Sequence, residues 1–344
     1  MLPAFPPSRS ISVSSTLCLV LVLAGCSQTD VVAIDEALCL HRGDCTGDGG
    51  CAARSCESAA SDGDNPPVQV GDGCSDVDPS AQSFRFALCS CSDYVSEAPL
   101  IVAGEGGANA RAASVGVNGS LNLGAGASID GSLQVTGMIS TGDGPVVDAT
   151  GIVLEAANTA CNCEPENLLD VAALVAAARA ANDDAAQGLE PDALDGFSSM
   201  QTLTVSSGKL YLTRIAGSAP LALQVDGPVQ LYVDANVELD STLAIALAAD
   251  ARLDLFIAGN VRARALTLGG ADTAGRLRIY VGGDGTINLE DPSLIGGALY
   301  APTAELVTRG TLEAFGPLFV RRAAPGEELR VHYDVASATP VTCE

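Results

Sequence analysis

The strongest constraint on this chain is a rhythm. From Leu203 to Val335, apolar and polar residues alternate in short runs, and most runs end on a turn residue. Leu221, Leu223 and Val225 precede Gly227. Val229, Leu231 and Val233 precede Asn236. Leu243, Ile245 and Leu247 form the next set, and Leu253, Leu255 and Ile257 lead to Gly259-Asn260. Leu266 and Leu268 then precede Gly269-Gly270, and Leu277, Ile279 and Val281 precede Gly282-Gly283. Alternation of this kind puts every second side chain on one face of a strand, and glycine or asparagine at the breaks marks turns. An earlier stretch repeats it, with Val115 and Val117, Leu121 and Leu123, Ile129, and Leu133 and Val135. Many short strands over more than a hundred positions predict a β-solenoid or another all-β fold. In a solenoid each coil buries its inward residues against the coils above and below. The uneven spacing predicts coils of unequal length.

One segment breaks the rhythm. Glu164-Pro165-Glu166 leads into an alanine-rich stretch that ends near Asn182. Proline and acidic residues suit a helix N-terminus, and alanine suits its interior. Leu168, Val171, Val175 and Ala178 form one stripe. A single helix over about 165–183 is expected, packed on the side or open end of the solenoid. The resulting division is residues 1–25 a signal peptide, 26–82 a stalk, 83–160 a first solenoid segment, 161–200 a helix-containing insertion, 201–335 the main solenoid, and 336–344 a tail.

The N-terminus carries an address. Arg9 precedes an apolar run, Leu17 to Gly25, too short to span a bilayer, which needs roughly 20 apolar residues. The arrangement is that of a secretory signal. Its end, Leu23-Ala24-Gly25-Cys26, resembles the lipobox of bacterial lipoproteins, which implies cleavage before Cys26, lipid on its thiol, and a palmitate-bearing membrane anchor. Ser27 follows, and under the sorting rule by which Asp at this position retains a lipoprotein in the inner membrane, serine favours the outer membrane. Export also decides the cysteines. Cys39, Cys45, Cys51, Cys56, Cys74, Cys89, Cys91, Cys161, Cys163 and Cys343 remain after the signal and Cys26. In an oxidising compartment they are disulfide candidates, with connectivity open.

Charge narrows the partners. The net charge is −25, with a single lysine, Lys209. Nucleic acid requires a basic footprint, and anionic lipid heads a basic patch, so neither is an expected partner. The stalk is rich in Gly, Asp and Cys. Asp44, Asp48, Asp62, Asp64, Asp72 and Asp76 offer oxygen ligands without a complete calcium-loop spacing.

Four segments resemble, in their order, a β-helical domain family of unknown function. They are Leu255-Phe256-Ile257-Ala258-Gly259-Asn260, Ile279-Tyr280-Val281-Gly282-Gly283, Gly296-Gly297-Ala298-Leu299-Tyr300-Ala301-Pro302 and Val331-His332-Tyr333-Asp334. The family occurs in bacterial surface lipoproteins and in proteins linked to PilX-type pilus assembly. The pairs Cys89/Cys91 and Cys161/Cys163, with Cys343, resemble its lipoprotein branch, as in myxobacteria. The resemblance implies a right-handed parallel β-helix at the cell surface and no particular reaction.

Candidate chemistry is sparse. His332 is the only histidine of the main domain, and Asp334 shares its strand face, but no Gly-x-Ser-x-Gly elbow accompanies them. The expected role of this stretch is a final strand that closes the solenoid. Cys89, Cys91, Cys161 and Cys163 could supply a four-thiolate zinc site, yet zinc ribbons space their cysteines more widely, so disulfides tying the helix segment to the start of the solenoid are expected. Gly104-Glu105-Gly106-Gly107 and Gly282-Gly283-Asp284-Gly285 lack the Lys-Ser/Thr of a phosphate loop. Arg262 with Arg264, and Arg276 with Arg278, lie two apart and are expected on a polar outer face. Thr202, Thr204 and Thr213 do not recur at a fixed step, as a regular ice-facing threonine row would require. No catalytic residue, metal or cofactor is assigned. The expectation is a non-enzymatic, lipid-anchored envelope protein acting as scaffold, adhesin-like surface or adaptor to an envelope protein or polysaccharide. A carbohydrate-binding or carbohydrate-active β-helix is the alternative.

Overall fold

Side chains that alternate along a strand bury one face only if the next strand repeats the pattern in register. This chain does so on three faces. Leu223 sits over Ile245 and Ile245 over Leu268 on the first. Leu231, Leu255, Ile279 and Leu299 stack on the second. Val237, Val261, Ile287 and Leu306 stack on the third. The structure, a computed structural model, describes residues 84–104, 113–142, 147–154 and 159–333. It is a parallel β-solenoid of about nine turns with one helical strap.

The order of strands in the stack differs from their order in the chain. On the first face the rungs climb from Gln201–Val205 to Leu312–Phe315 and Leu329–Tyr333. The next rung is Leu100–Gly104, paired in parallel with Leu329–Tyr333, and Ala127–Val135 and Val147–Leu154 follow it. The second face does the same, with Leu318–Pro325 handing over to Leu88–Ser90. The N-terminal segment therefore continues the stack beyond the C-terminal strand. The expectation that the last strand closes the solenoid is corrected here, because Leu329–Tyr333 has rungs on both sides. Edge groups left by the C-terminal coil are satisfied by the N-terminal one. Leu318 N donates to Ala87 O at 2.9 Å, Cys91 N to Val320 O at 2.9 Å, and Tyr333 Oη to Phe84 O at 3.2 Å.

This order obliges the chain to travel back along the stack, and residues 159–194 do so. Pro165–Asn167 is a 3-10 turn, Val171–Ala180 an α-helix, and Asp184–Gln187 a short helical turn. The expected single helix is thus interrupted. Leu168 is extended, Leu169 N donates to Tyr300 Oη at 2.8 Å, and Asp170 caps the helix by accepting from Ala173 N at 2.9 Å. The buried stripe is Val171, Val175 and Ala178. The helix lies on the side of the solenoid, against Gly208–Leu212, Pro228–Val233 and Arg252–Ile257.

Strands under the strap are covered on both sides, so alternation fails there. Leu277–Val281 is buried at every position. One of its outward residues, Tyr280, belongs to a column of Tyr211, Tyr232, Phe256, Tyr280, Tyr300 and Phe319 on successive rungs. Rungs lie about 4.8 Å apart, which suits stacked rings. Tyr232–Phe256 and Phe256–Tyr280 stack with centroids 4.7 Å apart and planes within 9°. Such pairs contribute about 0.5–1.5 kcal/mol each beyond the area they bury. Burial pushes the Tyr300 hydroxyl up to about 12 and the Tyr280 hydroxyl higher still. The column ends at Cys89 and Gly116, in register above Phe319.

The corner between the second and third faces repeats a side-chain ladder. Asn236 Oδ1 accepts from Asn260 N, and Asn260 Oδ1 from Gly285 N, both at 2.9 Å. Glycine is required at 259, where a Cβ would fall 2.3 Å from Asn236 Oδ1.

Candidate functional site

Four of the cysteines sit where the strap begins. Cys89 bonds to Cys161 and Cys91 to Cys163. Residue 116 is a glycine because a Cβ there would meet the Cys161 sulfur at 3.0 Å. Asn118 reinforces the contact, its side-chain amide donating to Cys161 O and accepting from Cys161 N, each at 2.8 Å. The two bonds pin the strap to the seam where the N-terminal rungs meet the C-terminal ones. Cys26, Cys39, Cys45, Cys51, Cys56, Cys74 and Cys343 lie outside the described residues, as do the stalk aspartates and Asp334.

His332 points outward from the first face. It stacks on Phe315, centroids 4.5 Å apart and planes at 9°, and its Nε2 lies 3.0 Å from Glu313 Oε1. Both partners belong to the rung below, Phe315 directly in register with His332. The imidazole is thereby fixed between an aromatic ring and a carboxylate. Tyr333, next to it, points inward.

The arginines divide. Arg262 pairs with Asp240 and Arg264 with Asp291 on the exposed outer surface, as expected. Arg214 with Asp195 and Glu238, and Arg322 with Glu305, extend the same ion-paired surface. Arg276 donates to the carbonyls of Ala248 and Ala251. Arg278 departs from the expectation of a solvated outer face. It projects outward from its strand but is 7% exposed, and it grips Asp254 on the adjacent rung through two hydrogen bonds of 2.6 and 3.0 Å.

That pair floors a cleft of about 460 Å³ beside the strap. The column Lys209, Gln230, Asp254, Arg278 runs through it on four successive rungs. Asp250, Arg252 and, from the strap, Asp183 also line it. Asp183 is held there by Lys209 backbone, accepting from its N at 2.8 Å and donating its own N to Lys209 O at 2.7 Å. No motif marks this cleft in the sequence, but a signal exists, since Asp254 and Arg278 are opposite charges set into equivalent apolar runs, Leu253-Asp254-Leu255 and Leu277-Arg278-Ile279.

The first face offers a different surface. Its outward column begins Thr202, Ala222, Ala244, Thr267 and continues Leu294, Glu313, Arg330 and Ile101. Chemical character changes from rung to rung, and Thr213 lies at a corner, bonded to Pro191 O. Among the described residues no cluster of His, Cys, Asp and Glu is placed to hold a metal ion.

Residues 154–339, more than half of the chain, match the family model Domain of unknown function (DUF7305). The chain belongs to this family. The matched DUF7305 region holds the strap and the rungs that end at Tyr333. The first rungs, 88–153, which complete its stack, lie outside the match. No curated protein matches the chain. Among solved structures it is similar to an ice-binding protein from an Antarctic ascomycete, Antarctomyces psychrotrophicus. That likeness has 14% identity over 73% of this chain and 95% of that one, with a TM-score of 0.29. An ice-binding protein from an Antarctic biological consortium is similar at 13% identity over 78% and 92%, with a TM-score of 0.25.

Proposed function

We propose that this protein is a non-catalytic interaction body of the bacterial envelope, lipid-anchored through Cys26 and carried on its cysteine-rich N-terminal stalk. It acts as a scaffold, an adhesin-like surface or an adaptor to an envelope assembly, on the outer membrane. The observation that carries this reading is the locked stack. Two chain segments make one continuous solenoid, and two disulfides hold the strap across their seam. Rigid surfaces bind with less ordering entropy than loops do, and disulfides persist in the oxidising compartment that export implies. The polar cleft favours a carbohydrate-binding role within this function.

The test is fractionation of cells expressing the wild type or Cys26→Ala, with protease added to intact cells. The wild type is expected in the outer membrane fraction, degraded from outside, and Cys26→Ala is expected to lose its anchor. A soluble wild type would overturn the lipid anchor. An anchored wild type that resists protease would place the work in the periplasm and remove the adhesin-like role.

A further inference from the structure

We propose that the cleft beside the strap binds an acidic sugar, a polyhydroxylated ligand carrying a carboxylate. In a chain of net charge −25, positive side chains readily find acidic neighbours. Arg179, Arg214, Arg262, Arg264, Arg278, Arg322 and Arg330 each pair with a carboxylate. Lys209 and Arg252 line the cleft, and their side chains make no hydrogen bond or ion pair with any described residue. Lys209 is also the single lysine of the chain. Two uncommitted cations facing one cavity form a place for an anion.

The buried pair beneath them fixes what sort of anion. Arg278 and Asp254 satisfy one another, so the floor is polar and preorganised without being a net charge. The carboxylates of Asp183 and Asp250 line the space with oxygen acceptors. Acceptors suit the several hydroxyl donors of a sugar better than inorganic phosphate, which brings at most one or two. The combination of cations for one carboxylate and acceptors for several hydroxyls is the chemistry of a uronic acid. A peptide is a poorer fit, since peptide recognition uses a free sheet edge or apolar pockets. The strands here are paired on both sides, and the rings of the neighbouring column, Tyr232 and Phe256, are buried. This site goes beyond the anchored-body reading and does not depend on it, since the cleft is present whether or not Cys26 carries lipid.

The experiment titrates full-length protein, purified in detergent, with tri-galacturonic acid, its methyl ester and inorganic phosphate, by calorimetry. The acid is expected to bind, with the ester at least tenfold weaker. Lys209→Ala and Arg252→Ala are each expected to weaken the acid about tenfold, about 1.4 kcal/mol, with unchanged melting temperature. Both residues are on the surface of the stack, so these variants fold. No binding of the acid at millimolar concentration overturns the proposal, as does equal binding of acid and ester or indifference to both substitutions. Phosphate that binds as tightly as the acid, with the same dependence on Lys209 and Arg252, overturns the sugar and leaves a plain anion site.

Discussion

Asp254→Ala is expected to lower the stability of the solenoid by about 3–5 kcal/mol, more than any other substitution outside the apolar core. The reason is asymmetry. Arg278 stays 7% exposed, and the variant removes the carboxylate that both compensates its charge and accepts two of its donors. A buried charge that loses its partner keeps its full desolvation penalty. Removing both charges is a different matter. A buried ion pair replaced by apolar residues of similar volume is commonly neutral. Asp254→Leu with Arg278→Met is therefore expected to recover most of the loss. Urea unfolding of the two variants and the wild type checks both statements through the shift in midpoint at constant slope. Equal losses in single and double variants would mean that the pair contributes through shape alone.

The second large effect belongs to the disulfides and is expected to be non-additive. Cys89–Cys161 and Cys91–Cys163 each close a loop with sequence separation 72. In the chain-entropy account a loop of that size stabilises by about 4 kcal/mol. The two loops are nearly the same loop, displaced by two residues. Once one is closed, the other constrains little further in the unfolded chain. Cys89→Ala with Cys161→Ala is thus expected to lower stability by less than about 1 kcal/mol, and replacement of all four by about 4 kcal/mol. Urea midpoints under non-reducing conditions measure this. Two equal, additive losses would show that each bond acts through local native contacts instead.

Much of this fold was legible because a solenoid writes its core locally. Leu221, Leu223 and Val225 alternate because one side of their strand faces the interior, and that face needs only the next rung to bury it. The turns were equally plain, since Gly259 and Asn260 serve a corner whose geometry a side chain at 259 would break. The helix showed through its alanines and its stripe, although its break at Leu168 to Asp170 did not. That break depends on Tyr300 Oη, a residue distant in sequence that takes Leu169 N out of the helix.

Three features could not be read, for one physical reason. They depend on which rungs and which strap meet in space. The pairing of Leu329–Tyr333 with Leu100–Gly104 leaves no local mark, because an interior strand and a closing strand carry the same alternation. Arg278 is buried against Asp254 of the adjacent rung, so a rule that assigns alternate residues to solvent misplaces it. The strap explains Ile279-Tyr280-Val281 and Leu299-Tyr300-Ala301, apolar at three successive positions. They resembled family boxes in the sequence, and in the structure they are strands covered on both sides. The cleft inherits this dependence, being formed by rungs and strap together.

The account rests on the N-terminal rungs completing the stack above the C-terminal strand, since a rigid display body requires that seam. Neighbouring parallel strands lie close enough for a disulfide. Ile101 and Arg330 are in register across the seam and both face outward. The most direct measurement introduces Cys at 101 and 330, and in a second protein at 101 and 202, then maps linked peptides by mass spectrometry after mild oxidation. The account predicts a 101–330 bond within one chain and no 101–202 bond. A 101–202 bond without a 101–330 bond would place the N-terminal rungs at the opposite end of the solenoid and contradict it.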